Sequence, residues 1–153
     1  MLVLQSLVPP AILLVLLVVM VVGARRPGRL DVRVDGHLLV IRISGRDALF
    51  SLCRGMRIPI ASIKGVAVAP AHLVPRVGMR LPGTAIPGVL RAGSYGTGRS
   101  RDFWLVRKAP ELFVVELAAG GPYRRIVLEV ADPRALCLQL RPVVGAFTGS
   151  FDR

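Results

Sequence analysis

The side chains best placed for chemistry in this 153-residue chain are arginines, and several gather around glycines. In Gly93-Ser-Tyr-Gly-Thr-Gly98-Arg99-Ser-Arg101, glycines free the backbone to turn amides toward an anion, and two guanidinium groups add charge. Arg80 and Arg91 flank this stretch, so Arg80, Arg91, Arg99 and Arg101 form the candidate anion- or partner-binding set. The spacing fits neither the Gly-x-Gly-x-x-Gly fingerprint nor the nucleotide P-loop, which requires Gly-Lys-Ser/Thr. A flexible loop between two strands is the plainer account of the same residues.

Signs of catalysis are weak. Of the nine acids, Asp31 and Asp35 fall in a hairpin, and Glu116 and Glu129 fall on strands opposite arginines, so no acid–base pair stands out. His37 follows a turn and His72 lies in a proline-rich stretch, each without the i, i+4 partner or Cys/Asp companion of a metal site. Ser62, Ser94 and Ser100 lack a Gly-x-Ser-x-Gly setting. Cys53 and Cys137 have no CxxC spacing and read as small buried hydrophobes. The expectation is therefore a protein with no catalytic residue, metal or cofactor. A cavity gathering Asp102, His72 and a serine would revive an enzymatic reading.

The net charge of +12 comes almost wholly from arginine, since Lys64 and Lys108 are the only lysines. Such a charge draws a protein toward anionic lipid headgroups, nucleic acid or acidic partners. Phe103 and Trp104 are the only neighbouring aromatics, and strand alternation assigns one of them to the core, which leaves no stacking platform. Nucleic acid is accordingly not an expected partner.

Met1 to Ala24 contains no charged residue, and Ala11 to Val22 is almost purely aliphatic. The ten Leu, Ile and Val residues between Ile12 and Val22 supply roughly −3 to −6 kcal/mol toward membrane insertion. About 20 apolar residues are needed for a crossing helix, which requires Pro9 and Pro10 within it or in its first turn. A signal peptide and a buried core helix are the rival readings. The favoured expectation is a transmembrane anchor over 1–24 and a basic juxtamembrane linker over 25–29. Arg25, Arg26 and Arg29 set its topology, giving a single-pass protein of the cell membrane with its C-terminal domain cytoplasmic.

Residues 30–141 read as mainly β, with 142–153 as a tail. Leu30–Val34 alternates, Asp35-Gly36 signals a hairpin, and His37–Ile43 returns. That turn pairs Val34 with His37 and puts Leu30, Val32, Val34, Leu39, Ile41 and Ile43 on one face. A third strand region runs from Arg57 to Ala69, where Pro59 and Gly65 argue for an edge, a break or a bulge. A short strand is read at Gly88–Ala92, a second hairpin joins Asp102–Arg107 to Leu112–Leu117, and another strand covers Tyr123–Val130. Asp132-Pro133 opens a helix as N-cap and first residue, Leu136 and Leu140 share a side of it, and Arg141-Pro142 closes it. Six or seven strands and a terminal helix suggest a sandwich or an open barrel with a helix at one end.

This order resembles the bacterial pleckstrin-homology-like (PH-like) domains with an N-terminal transmembrane anchor. The likeness rests on Val34-Asp-Gly36, Ile58-Pro-Ile-Ala-Ser-Ile63, Gly83-Thr-Ala-Ile-Pro-Gly88 with Gly93-Ser-Tyr95, and Tyr123 leading to Val130-Ala-Asp-Pro133. It covers about Leu30 to Arg141 and implies a seven-stranded, helix-capped barrel without catalysis; no phosphoinositide-binding motif carries over. The resulting expectation is a membrane-anchored, non-catalytic binding or scaffold module. Its partners would be the lipid bilayer, anionic lipid headgroups and an unidentified membrane-associated protein. A headgroup sensor is the alternative, and a cryptic enzyme the remote one.

Overall fold

The computed structural model describes residues 10–25, 29–74, 80–86, 89–98 and 101–144. These residues form a helix α1 (Pro10–Arg25), nine strands, a short helix α2 (Arg46–Ser51) and a further helix α3 (Pro133–Val144). The strands are β1 (Arg29–Asp35), β2 (Leu38–Ser44), β3 (Gly55–Pro59), β4 (Ile63–Pro70), β5 (Arg80–Ile86), β6 (Leu90–Tyr95), β7 (Asp102–Val106), β8 (Glu111–Leu117) and β9 (Arg125–Leu128).

The expected transmembrane anchor is corrected here. Pro10 opens α1, where its missing amide costs nothing, and the helix has 16 residues. At 1.5 Å per residue it is about 24 Å long, short of a hydrocarbon core of about 30 Å. No helix of the described residues is long and apolar enough to cross a membrane. The single-pass placement and the inner-face orientation fall with that span. Arg25 is the last residue of α1, Arg26 lies outside the described residues, and Arg29 begins β1. The helix is apolar all round, with Leu14, Leu16, Leu17 and Val19 exposed.

The β reading holds, with more strands than expected. Sheet A has the order β1-β2-β3 and sheet B the order β4-β8-β9-β7-β6-β5. In the first hairpin Asp35 faces Leu38, and Val34 faces Leu39. The tight turn is thus Gly36-His37 rather than Asp35-Gly36, with Gly36 at φ +58 in the first central position, where a type II′ turn favours glycine. A shift of two residues preserves the pleat, so the predicted apolar face survives: Leu39, Ile41 and Ile43 are buried, with Leu30, Val32 and Val34 packed beside them.

The region from 57 to 69 breaks as the proline indicates. Pro59 ends β3, a 3-10 turn spans Ile60–Ser62, and β4 then joins the other sheet. A register irregularity between Ile63 and Gly65 marks a bulge. The predicted hairpin of Asp102–Arg107 with Leu112–Leu117 does not form. β9 lies between β7 and β8, antiparallel to β8 and parallel to β7. The reason is composition: Phe103–Val106, Leu112–Val115 and Ile126–Leu128 are unbroken apolar runs, which favour central strands covered on both faces.

One core lies between the two sheets and α3. It includes Leu39, Ile41, Phe103, Leu105, Phe113, Ile126, Leu128 and, from the helix, Cys137 and Leu140. A second core on the far side of sheet B holds Val74, Trp104, Val106, Leu112, Val114 and Val127. Phe103 and Trp104 are therefore both buried, on opposite faces. In α3 the Asp132 carboxylate accepts the Ala135 amide at 2.8 Å, the expected N-cap. The helix runs through Pro142 to Val144 instead of stopping at Arg141.

Helix α2 ends on Leu52, the one described non-glycine residue with positive φ, at +54. A left-handed C-cap normally suits glycine or asparagine. Leu52→Gly should raise stability by about 0.5–1 kcal/mol, because the left-handed penalty of a side chain outweighs the added freedom of glycine. Urea unfolding measures it; a loss of stability would show that the leucine packs within the fold.

Candidate anion-binding site

Sheet B carries the site at the end where β7 stops and β6 starts. Arg91 at the start of β6 faces Val106 at the end of β7. The chain then turns through Arg107 to Pro110 into β8, and Pro110 accepts a hydrogen bond from Ala71 just after β4. These segments enclose a cavity of about 260 Å³ bounded by His72, Arg91, Trp104, Val106, Lys108 and Leu112, among others. Its walls combine apolar surface with cationic side chains, and no carboxylate lines it.

The acids nearby are consumed within the fold. Glu129 follows β9, and its Oε2 accepts the amides of Arg107, Lys108 and Ala109 at 2.6, 2.9 and 3.1 Å. Three successive amides converge on one oxygen, an internal anion nest that fixes the turn. Asp47 of α2 is buried and pairs with the Arg107 guanidinium. Glu111 takes Nε of Arg134 at 3.0 Å, and that hydrogen bond holds its carboxyl below the usual carboxylate range. Among the described residues, no carboxylate stands within ion-pair distance of Arg91 or Lys108.

The four predicted arginines are not brought together. Arg91 lies at the cavity. Arg101 precedes β7, where it donates Nε to the Gly98 carbonyl at 3.1 Å. Five residues of β7 separate these two ends, about 17 Å at strand rise. Arg80 pairs through its backbone with Tyr95, which faces Asp102, so it belongs to the Arg101 end. Arg99 lies outside the described residues.

At that other end Asp102 is fully buried and takes Nε and Nη2 of the buried Arg125 on Oδ2 at 3.1 and 2.5 Å. Arg124 Nε stands 3.5 Å from Oδ1. The Arg125 guanidinium lies 5.8 Å over the Trp104 ring, a cation–π contact. Asp102 thus belongs to a buried ion pair, and the cavity beside His72 is lined by neither Asp102 nor a serine. Ser44, Ser51 and Ser62 hydroxyls donate to backbone carbonyls, and Ser94 bonds the Tyr123 hydroxyl at 3.1 Å. Among the described residues no group of three or more His, Cys, Asp or Glu side chains is placed to hold a metal ion.

Lys108 is a cavity residue that sequence reasoning passes over, and His72, weighed there only for metal or catalytic roles, is not grouped with Arg91. Hairpin geometry holds the missing signal, since a β6–β7 hairpin places the start of one strand beside the end of the other. No family model, no curated protein and no solved structure matches the chain. The functional reading therefore rests on geometry.

Proposed function

We propose that this protein is a non-catalytic binding module that takes a phosphate-class anion in the cleft formed by His72, Arg91 and Lys108. The observation that supports it is an imbalance: cationic side chains surround an apolar-floored cavity while every nearby acid is committed elsewhere. Arg91 is half-buried and lines the cavity, and a charge set in such a recess attracts an anion with less screening than one on an open surface. Lys108 and His72 are exposed and close the rim.

The same chemistry belongs to free phosphate and to a lipid headgroup. Calorimetry with inorganic phosphate and glycerol 3-phosphate tests the free ligand, and vesicles with and without phosphatidylglycerol test the headgroup. Each charge-assisted hydrogen bond removed costs about 1.5–3 kcal/mol, so Arg91→Gln and Lys108→Gln should each weaken binding about tenfold or more. Equal binding by wild type and the double variant would assign the interaction to diffuse positive charge and overturn the site.

A further inference from the structure

We infer that the end of the domain carrying α2 docks on an anionic lipid surface, with Leu49 and Leu52 entering the lipid and Arg46 and Arg54 meeting headgroup phosphates. This goes beyond the anion cleft and does not depend on it. Leu49 and Leu52 are 71% and 66% exposed, among the most exposed large apolar side chains of the β domain. With Ile43 and Ala48 they edge an open groove reaching from Ser44 to Arg54. Leu52 also holds a left-handed backbone without contributing a buried side chain to the core.

The charge around this patch has one sign. Arg46 and Arg54 are exposed, and no ion pair engages either among the described residues. The only acid of α2, Asp47, is turned inward to Arg107. An aliphatic tip ringed by arginine suits acyl chains beneath anionic headgroups. A protein partner is more often gripped by aromatic anchors, and Leu49 and Leu52 offer none.

Chain connectivity adds a second apolar surface at the same end. Arg29 faces Ser44, the residue just before Gly45 and α2, and the Ser44 hydroxyl donates to the Arg29 carbonyl at 3.2 Å. The last residue of α1 is four Cα steps away, so its end lies within about 15 Å of Arg29. The C-terminal end of α1, whose leucines and valines are exposed, is thus tethered close to the strand end that leads into α2. Docking of this kind requires no helix that crosses the bilayer.

A tryptophan introduced as Leu49→Trp in the full chain reports the contact directly, because the native Trp104 is 3% exposed and gives a constant baseline. On phosphatidylcholine–phosphatidylglycerol vesicles with brominated acyl chains, the added indole should shift to the blue and be quenched. Arg46→Gln with Arg54→Gln should lower vesicle partition about thirtyfold. Vesicle-bound protein with an unquenched indole, or equal binding to pure phosphatidylcholine, overturns the proposal. A lipid-free dimer that buries the indole would assign the tip to a second copy and overturn it as well. Arg91→Gln with Lys108→Gln separates the two readings: quenching should persist in that variant whether or not soluble phosphate binds.

Discussion

Asp102→Ala is expected to destabilise the protein by about 3–5 kcal/mol, because it leaves the buried Arg125 guanidinium without its carboxylate. The loss is a large part of a typical domain stability of about 5–15 kcal/mol, and for roughly 100 residues it lowers Tm by about 15–30 °C. A buried charge stripped of its counter-charge costs far more than the pair contributes. Replacing both partners, as Asp102→Leu with Arg125→Met, should therefore recover most of the loss. Chemical unfolding of the two single variants and the double variant completes the cycle. A single variant within about 1 kcal/mol of wild type would show that Trp104 and water satisfy the guanidinium.

Glu129→Ala should cost about 2–3 kcal/mol, since one carboxylate oxygen accepts three backbone amides of the turn after β7. Glu129→Gln keeps an acceptor and loses only the charge, so about half that cost is expected. Hydrogen exchange at residues 107–109 gives a local readout and should accelerate in the alanine variant. The emptied nest also predicts chemical rescue: sulfate should raise the Tm of Glu129→Ala more than that of wild type. Unchanged exchange at these amides would show that the turn is held by its packing instead.

Much of this architecture was legible in the residues. The alternation of Leu30–Val34 and Leu39–Ile43 identified the apolar face even though the turn sits one residue later, because a two-residue change of register returns each side chain to its own side. Pro59 and Asp132 mark a break and a helix start for local reasons, a ring that withholds an amide and a carboxylate that caps the turn after it. Strand order was not legible in this way. Asp102–Arg107 and Leu112–Leu117 are adjacent in sequence and have a turn between them, so a hairpin is the local inference, yet β9 takes the place between them. The warning lay in their lack of alternation, which only a strand buried on both sides can sustain. The apolar N-terminal run reads as a crossing helix only if it extends well ahead of Ala11, and the helix that starts at Pro10 has 16 residues. For the site, sequence distance groups Arg91 with Arg80, Arg99 and Arg101 around the glycine-rich stretch, whereas the fold sets Arg91 at the cavity, away from Arg101. A strand moves its two ends apart, and pairing with β7 joins Arg91 to Lys108 instead.

The position of β9 bears on how the molecule is made. It is the last of the described strands in chain order and yet completes the middle of sheet B, between β8 and β7. Until residues 125–128 arrive, a nascent chain holds two apolar strands whose inner edges have nothing to bond, and such edges recruit other chains. Closure of the sheet is thus a late, long-range event, slow by comparison with hairpin formation. Interrupted translation products lacking this short strand are predicted to be aggregation-prone and in need of chaperone protection.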